Sequence, residues 1–327
     1  MNAASRPTSP GFSPRTRKVA AAIVLSAFMT SAPAATYTYS DASEEMCAFE
    51  ILNNERARCG FGLLRQSEAL DSAAKGHANW IIVNKNEGHM QIPDTPGFTG
   101  VAPWDRVVVS SYGPDYSFES TEVMAFHSWS EQGAAARAVR GLLNAPYHLL
   151  NILRGWREVG LGVKARVDLE LMSGQETLVT IELATKNNEG LYADKSSALR
   201  TYPCEGATGM IRSLHAETPN PFPGRDLHAH PVGTSIGVVA QVGSTLLISS
   251  ASITNVRTGA KVAILQPVSG STDPNAAPLP EDRRVLVNEG YISSESPMNA
   301  NTPYQVSISG TTNRIPFTRT FTFVTGP

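Results

Sequence analysis

The spacing of apolar residues changes near residue 216, and this change constrains the fold more than any other feature of the sequence. Between Ser43 and Leu153 apolar residues recur at three- and four-residue intervals, which predicts helices over Glu44–Arg58 and Ser67–Asn84. Two shorter helices are predicted in "GAAARAVRGLLNAP" and "PYHLLNILRG", followed by strands in "VGLGVKARV" and "TLVTIELAT". Helices that precede strands, with few βαβ alternations, favour an α+β fold over a doubly wound sheet.

A different pattern follows the Pro-rich stretch "ETPNPFPGRD". From there the apolar runs are short, rich in Val, Ile and Thr, and separated by turn residues, as in "TSIGVVAQV", "TLLISSASITNV", "RRVLVNEG" and "FTRTFTFV". This pattern predicts an all-β, immunoglobulin-like sandwich. The expected organisation is a leader over 1–34, a mixed domain over 43–200, a Pro-rich joint over 201–225 and a β-sandwich domain over 226–327.

The N-terminal residues have the three parts of a secretory signal peptide. A basic segment, "RTRK", precedes the apolar run "VAAAIVLSAFM" and the small-residue site "APA". The apolar run is too short to cross about 30 Å of hydrocarbon, which argues against a membrane anchor. We therefore expect a secreted or periplasmic protein with no transmembrane segment after cleavage.

Charge and cysteine content limit the partners and the covalent links. The formal net charge is −2, so the sequence lacks the basic excess that would indicate a nucleic acid partner. Export would permit disulfides. Cys47 and Cys59 lie at the two ends of one predicted helix, about 18 Å apart, whereas a disulfide needs Cα atoms within about 7 Å. One of the two is expected to pair with Cys204. We favour Cys59–Cys204, and Cys47–Cys204 is the alternative.

Five motifs in order carry a resemblance to a known family. They read "LNNERARCGFGLL", "LDSAAKGHANW", "GHM", "PYHLLNIL" and "VGLG". Together they resemble the CAP superfamily of cysteine-rich secretory, antigen 5 and pathogenesis-related proteins, and most of all its bacterial secreted, SCP-like branch. The resemblance covers about Ser43 to Thr185. It implies an α-β-α sandwich whose cleft holds two histidines and two acidic residues, which bind a divalent metal in some members.

The resemblance transfers to this sequence residue by residue. The two cleft histidines correspond to His89 and His148, and Asn151 matches the family's asparagine after the second histidine. The first acid corresponds to Glu122, in "ESTEV". The family's second acid stands in a Trp-x-x-Glu segment before the second histidine, and here that segment reads "VRGLLNAP", with no acid.

The residue types suit a metal or ligand site. His148 is predicted in the first turn of a helix, where the positive end of the dipole disfavours a charged imidazolium and so favours the neutral ring that a metal requires. His89 and His148 are therefore the expected ligands of zinc or another divalent cation, with Glu122 the nearest carboxylate. Without metal, the same three residues would bind a small ligand or simply hydrogen-bond one another.

Several functions are compatible with such a cleft, and whether the protein is an enzyme is left open. It would bind a divalent metal or small ligand. It would alternatively be a metal-dependent hydrolase of peptide or ester bonds. Another alternative is a lipid- or sterol-binding module, a role that the resemblance implies because some relatives have it. A further alternative is an envelope structural or adhesion module, in which the β domain would be the working part. The partner would be an unknown small ligand or an envelope component.

Overall fold

The computed structural model describes residue 1 and residues 37–113, 117–127, 132–167, 175–187, 199–276 and 284–327. The predicted leader lies outside these ranges, apart from Met1. Within the described ranges no helix is long and apolar enough to span a bilayer.

Five helices lie among the described residues of the first half of the chain. Ser43 begins the first by accepting a hydrogen bond from the amide of Met46 at 3.1 Å, and Ser67 caps the second. Both helices thus begin and end within one residue of the predicted bounds. The third, which the apolar spacing did not predict, starts at a proline. The helices are α1 (Glu44–Arg58), α2 (Glu68–Asn84), α3 (Pro103–Val109), α4 (Ala134–Leu142) and α5 (Pro146–Leu153).

A four-stranded sheet lies between these helices. Its strands are β1 (Arg65–Gln66), β2 (Phe118–His127), β3 (Glu158–Val167) and β4 (Gln175–Lys186), in the order β1-β3-β4-β2. Alternate residues of β4 enter different apolar clusters: Val179 and Leu183 pack with residues of α1, α4 and α5, whereas Leu178 packs with α2. Because side chains alternate across a strand, the sheet has helices on both faces.

Two further sheets contain the remaining strands. One has the order β10-β11-β7-β5 and the other the order β6-β13-β12-β8-β9, and all their pairs are antiparallel except β6 with β13. The strands are β5 (Arg200–Tyr202), β6 (Ala207–Met210), β7 (Ser235–Val239), β8 (Leu246–Asn255), β9 (Lys261–Val262), β10 (Val268–Ser269), β11 (Glu289–Ser293), β12 (Pro303–Thr312) and β13 (Ile315–Thr325). The five helices of the first half and the mainly antiparallel pairing of the three sheets confirm the α+β class.

Two details differ from the strand pattern expected from the sequence. In the run "RRVLVNEG", the described residues 284–290 form a strand only at their end. Strand β11 starts at Glu289, whose side chain accepts a hydrogen bond from the amide of Leu286 at 2.9 Å and holds the residues before it in a turn. The predicted joint, 201–225, contains β6 and most of β5. The boundaries assigned to the domains stay a prediction.

One apolar cluster joins the helical half to the β-rich half. It includes Leu149 and Leu150 of α5 together with Ile236 and Val238 of β7. A Cβ built on Gly237 would lie 3.2 Å from the Cδ2 of Leu149, so α5 packs closely on this strand. The cluster fixes α5, and with it His148, against the second half of the chain.

A disulfide adds a covalent link between the two halves. Cys59 and Cys204 are bonded, with an S–S distance of 2.09 Å and a Cα–Cα distance of 5.4 Å. Cys47 has a free thiol. The favoured pairing is therefore confirmed, and so is the expectation that Cys47 and Cys59 do not pair with each other.

Candidate functional site

His89 is held by a buried glutamate. It follows α2 in a loop, and its Nδ1 lies 2.7 Å from the Oε1 of Glu122, in the middle of β2. The carboxyl of Glu122 is completely buried, whereas the imidazole of His89 is 42% exposed. Because an ionised carboxylate only accepts hydrogen bonds, Nδ1 carries the proton. The Nε2 of His89 then has its lone pair available to a ligand.

Arg106 fixes this pair from α3. Its Nη2 lies 2.7 Å from the Oε2 of Glu122, and its Nη1 donates to the backbone oxygen of His89 at 3.0 Å. Burial would raise the pKa of Glu122. The hydrogen bond from His89 and the positive charge of Arg106 outweigh it, and the pKa of Glu122 falls to about 2. Glu122 is therefore ionised at any pH at which the protein would function.

A second buried carboxyl lies beside Glu122. Glu182 stands directly opposite it in the β2–β4 pairing and is fully buried. Burial, and then the negative charge of Glu122, raise the pKa of Glu182 well above its usual value. The protonated form of Glu182 is therefore favoured beside the ionised carboxylate of Glu122.

His77 supports the loop of His89 from the core. Its ring is completely buried on α2, with Nε2 donating to the backbone oxygen of Gly88 at 3.0 Å and Nδ1 accepting from Gln91 at 3.1 Å. Burial lowers the pKa of His77 to about 4, although the charge of Glu122 acts in the other direction. His77 is a neutral structural residue that anchors the backbone next to His89.

His148 has a different carboxylate partner from the one expected. Its Nδ1 lies 2.9 Å from the Oε1 of Glu217, and its ring is 17% exposed. The prediction that Glu122 would be the nearest carboxylate to both histidines is wrong for His148. Glu122 lies on β2 between His89 and Arg106, whereas the start of α5 is occupied by Glu217, which also accepts from the amides of Tyr147 and His148 at 2.8 and 3.1 Å.

The two histidines line one cavity. Its volume is about 590 Å³, and Glu217 lies in its wall. Asn151, in the same helix as His148, donates to Thr121 on β2 at 2.8 Å. Within the described ranges no three His, Cys, Asp or Glu side chains are grouped as a metal would require. The structure therefore places His89 and His148 in the lining of one cavity, and the Nδ1 of each ring lies against its own glutamate.

The cleft also uses residues that the sequence did not reveal. Residues 211 and 213–218 form part of the wall of the cavity. Glu217 stands in the Pro-rich stretch that was interpreted as a joint, 69 residues from His148, and no local pattern connects them. Arg106 stands in "APWDRVVV", where an arginine resembles a surface residue until its burial is known.

Comparisons with known proteins find a family match and two distant structural resemblances. The family model for CAP, the cysteine-rich secretory protein family, matches residues 49–166. Among solved structures, an outer surface protein from Borrelia burgdorferi is 19% identical, with a TM-score of 0.33 over 45% of this chain and 96% of that one. An extracellular protein containing an SCP domain from Bacillus anthracis is 20% identical, with a TM-score of 0.33 over 44% of this chain and 40% of that one. No curated protein matches the chain.

The fold and the cleft define an α+β domain with helices on both faces of a sheet and two histidines on one cavity. The family match identifies this part of the chain: residues 49–166 are a domain of the CAP superfamily. Both His89 and His148 fall inside the matched residues, whereas Glu217 falls outside them. The resemblance drawn from the five motifs is confirmed.

Proposed function

We propose that this is a secreted CAP-domain protein whose cleft binds a divalent metal ion, zinc in the first instance, through the Nε2 atoms of His89 and His148. The observation that carries the proposal is the shared arrangement of the two rings. Each is held through Nδ1 by a buried glutamate, at 2.7 Å for His89 and 2.9 Å for His148, and both line the same cavity.

This arrangement is the one found around metal-binding histidines. Such residues donate their second ring nitrogen to a carboxylate or carbonyl, which fixes the tautomer and makes the ligating nitrogen more basic. Two neutral imidazoles suit zinc, and a site with only two protein ligands keeps positions open for water or a small molecule. A metal ion bound there would act as a Lewis acid or lower the pKa of a bound water, and hydrolysis of a peptide or ester is the reaction class that this chemistry would serve.

The remaining parts of the proposal concern location and the second half of the chain. The leader-like N-terminal sequence supports export, to the periplasm or the cell exterior. Two antiparallel-rich sheets follow the CAP domain and support an immunoglobulin-like sandwich. In the envelope this module would bind a partner or act as a spacer. Lipid or sterol binding is the alternative that the family resemblance adds for the cleft.

The metal proposal is tested by titrating zinc into the purified, chelator-free protein in a calorimeter. Wild type is expected to bind one ion, and His89→Ala and His148→Ala are each expected to weaken binding at least tenfold. The matched control is His228→Ala, because His228 is exposed and lies outside the residues that line the cavity. Binding that is absent in wild type, or lost equally in His228→Ala, would contradict the proposal. Thermal melts of all four proteins show whether each variant is folded.

A further inference from the structure

We infer that Glu217 is a positioning residue of the cleft: it fixes the tautomer and orientation of His148, so that the CAP domain completes its own site with a residue from outside the matched segment. The inference deepens the proposed function and rests on it for the identity of the ligand. The positioning role itself can be measured without any metal.

The contacts of Glu217 converge on one turn of helix. Its Oε1 accepts three hydrogen bonds, from the amide of Tyr147 at 2.8 Å, the amide of His148 at 3.1 Å and the Nδ1 of His148 at 2.9 Å. The carboxyl of Glu217 is completely buried. A single oxygen therefore holds both the backbone and the ring of His148.

The start of α5 depends on this carboxylate. The N-cap residue, Ala145, has no side chain that could accept from the first amides of the helix. The carboxylate of Glu217 supplies that acceptor, and the positive end of the helix dipole stabilises its charge. The position of Glu217 is thus set by the helix, and the ring of His148 is set by Glu217.

The second oxygen of Glu217 points to a role beyond capping. Oε2 is buried and has no hydrogen-bond partner among the described residues, while Glu217 as a whole lies in the wall of the cavity. An unpartnered buried oxygen costs free energy. A capping role alone would not require a buried oxygen without a partner, because an asparagine or serine at position 145 would cap the helix locally.

The His89–Glu122 pair supplies an internal comparison. It has the same Nδ1-to-carboxylate geometry, but Glu122 comes from β2, inside the matched residues. The segment that carries Glu217 is held to the CAP domain by further contacts near the cleft: Asn144 donates to the backbone oxygen of Ser213 at 3.2 Å and accepts from the amide of Ser235 at 2.9 Å. The two halves of the chain are therefore fixed together where Glu217 acts.

The test measures the tautomer of His148 in the full chain by imidazole nitrogen–proton correlation spectra, with His148→Ala used to assign the signals. Wild type is expected to carry the proton on Nδ1. Glu217→Ala is expected to lose this preference and populate the Nε2-protonated form, because no acceptor remains at Nδ1. Glu217→Gln is expected to restore the wild-type tautomer, since its amide oxygen can accept the same three hydrogen bonds.

Zinc titration of the same proteins connects the positioning role to binding. Glu217→Ala is expected to weaken zinc binding by about 10- to 100-fold, the usual effect of removing a residue that orients a metal ligand. Glu50→Ala, an exposed change on α1, should behave as wild type in both measurements.

The outcomes separate the inference from the proposed function. An unchanged His148 tautomer in Glu217→Ala overturns the inference, whatever the zinc titration gives. A changed tautomer in a protein that binds no zinc even as wild type supports the positioning role and contradicts the metal proposal. If Glu217→Ala does not fold, the comparison of wild type with Glu217→Gln decides: loss of the Nδ1 proton in the glutamine variant overturns the inference, and its retention supports it.

Discussion

Gly162 on β3 lies directly against the backbone of Ala74 on α2. A Cβ built on Gly162 would be 2.5 Å from the carbonyl carbon of Ala74 and 2.6 Å from the amide nitrogen of Lys75. One helical turn earlier, a Cβ on Gly160 would overlap the carbonyl group of Leu70. The glycines of the "VGLG" motif therefore let α2 contact the sheet backbone to backbone. This contact sets the distance from the sheet of α2 and of the loop that carries His89.

We expect Gly162→Ala to lower the free energy of unfolding by about 3 kcal/mol, since the methyl group can be accommodated only if α2 moves away from β3. Gly141→Ala is the matched control: Gly141 is helical, nothing lies within 4 Å of its Cβ position, and alanine favours helix. Urea unfolding of the three proteins measures the difference. Equal midpoints for the two variants would mean that the close contact is not required.

Local signals predicted the parts of the fold that depend on local structure. Helix α1 and helix α2 were predicted to within one residue because apolar spacing is a local signal, and in the structure Ser43 and Ser67 cap these helices locally. Strands β3 and β4 were found for the same reason. Helix α3 was missed because seven residues are too few for a helical period to show.

Only part of the candidate site could be predicted, because the rest depends on contacts between residues that are far apart in the sequence. His89 and Glu122 follow from the family motifs. Glu217 does not, since its role exists only once α5 and residues 211–218 are packed together. The raised pKa of Glu182 is similar: the run "TLVTIELAT" shows a carboxyl among apolar residues, but only the register of β2 with β4 places it opposite Glu122.

The Cys59–Cys204 disulfide closes a loop with a sequence separation of 145. Removing it with the double change Cys59→Ala, Cys204→Ala should lower the free energy of unfolding by about 5 kcal/mol, because the unfolded chain regains the entropy of a long open loop. Cys47→Ala is the control and should change it by less than about 1 kcal/mol. Denaturant unfolding under non-reducing conditions measures both. A peptide map that links Cys47 to either other cysteine would contradict the pairing.

The burial of His77 predicts a pH-dependent stability. Its pKa is about 4 in the folded protein, against a usual value near 6.5. Between these values the unfolded state binds a proton that the folded state does not, so stability is full above pH 6.5 and is lost as the pH falls towards 4. The loss that His77 contributes is roughly 3 kcal/mol at pH 4.

His77→Gln isolates this contribution, because glutamine can donate to the oxygen of Gly88 but does not titrate. The free energy of unfolding, measured by urea titration at several pH values from about 7.5 to about 4, should fall less steeply in the variant than in wild type. Other groups titrate in both proteins, so the difference between the two curves is the quantity to compare. Parallel curves would show that His77 is not held neutral by burial.

Tyr147 links α5 to the β-rich half through its hydroxyl, which donates to the Oδ1 of Asp273 at 2.8 Å and accepts from the Nδ2 of Asn275 at 2.9 Å. Asp273 is buried, and its Oδ2 has no partner among the residues the structure describes. Tyr147→Phe would therefore remove a hydrogen-bond donor from the buried carboxylate of Asp273. We expect the free energy of unfolding to fall by about 1–3 kcal/mol. Tyr37→Phe, at an exposed ring, should leave it nearly unchanged. A double-mutant cycle with Asp273→Asn completes the test. If the hydroxyl and the carboxylate interact as described, the double variant should lose measurably less free energy of unfolding than the sum of the two single losses. Strict additivity would show that this contact does not join the two halves of the chain.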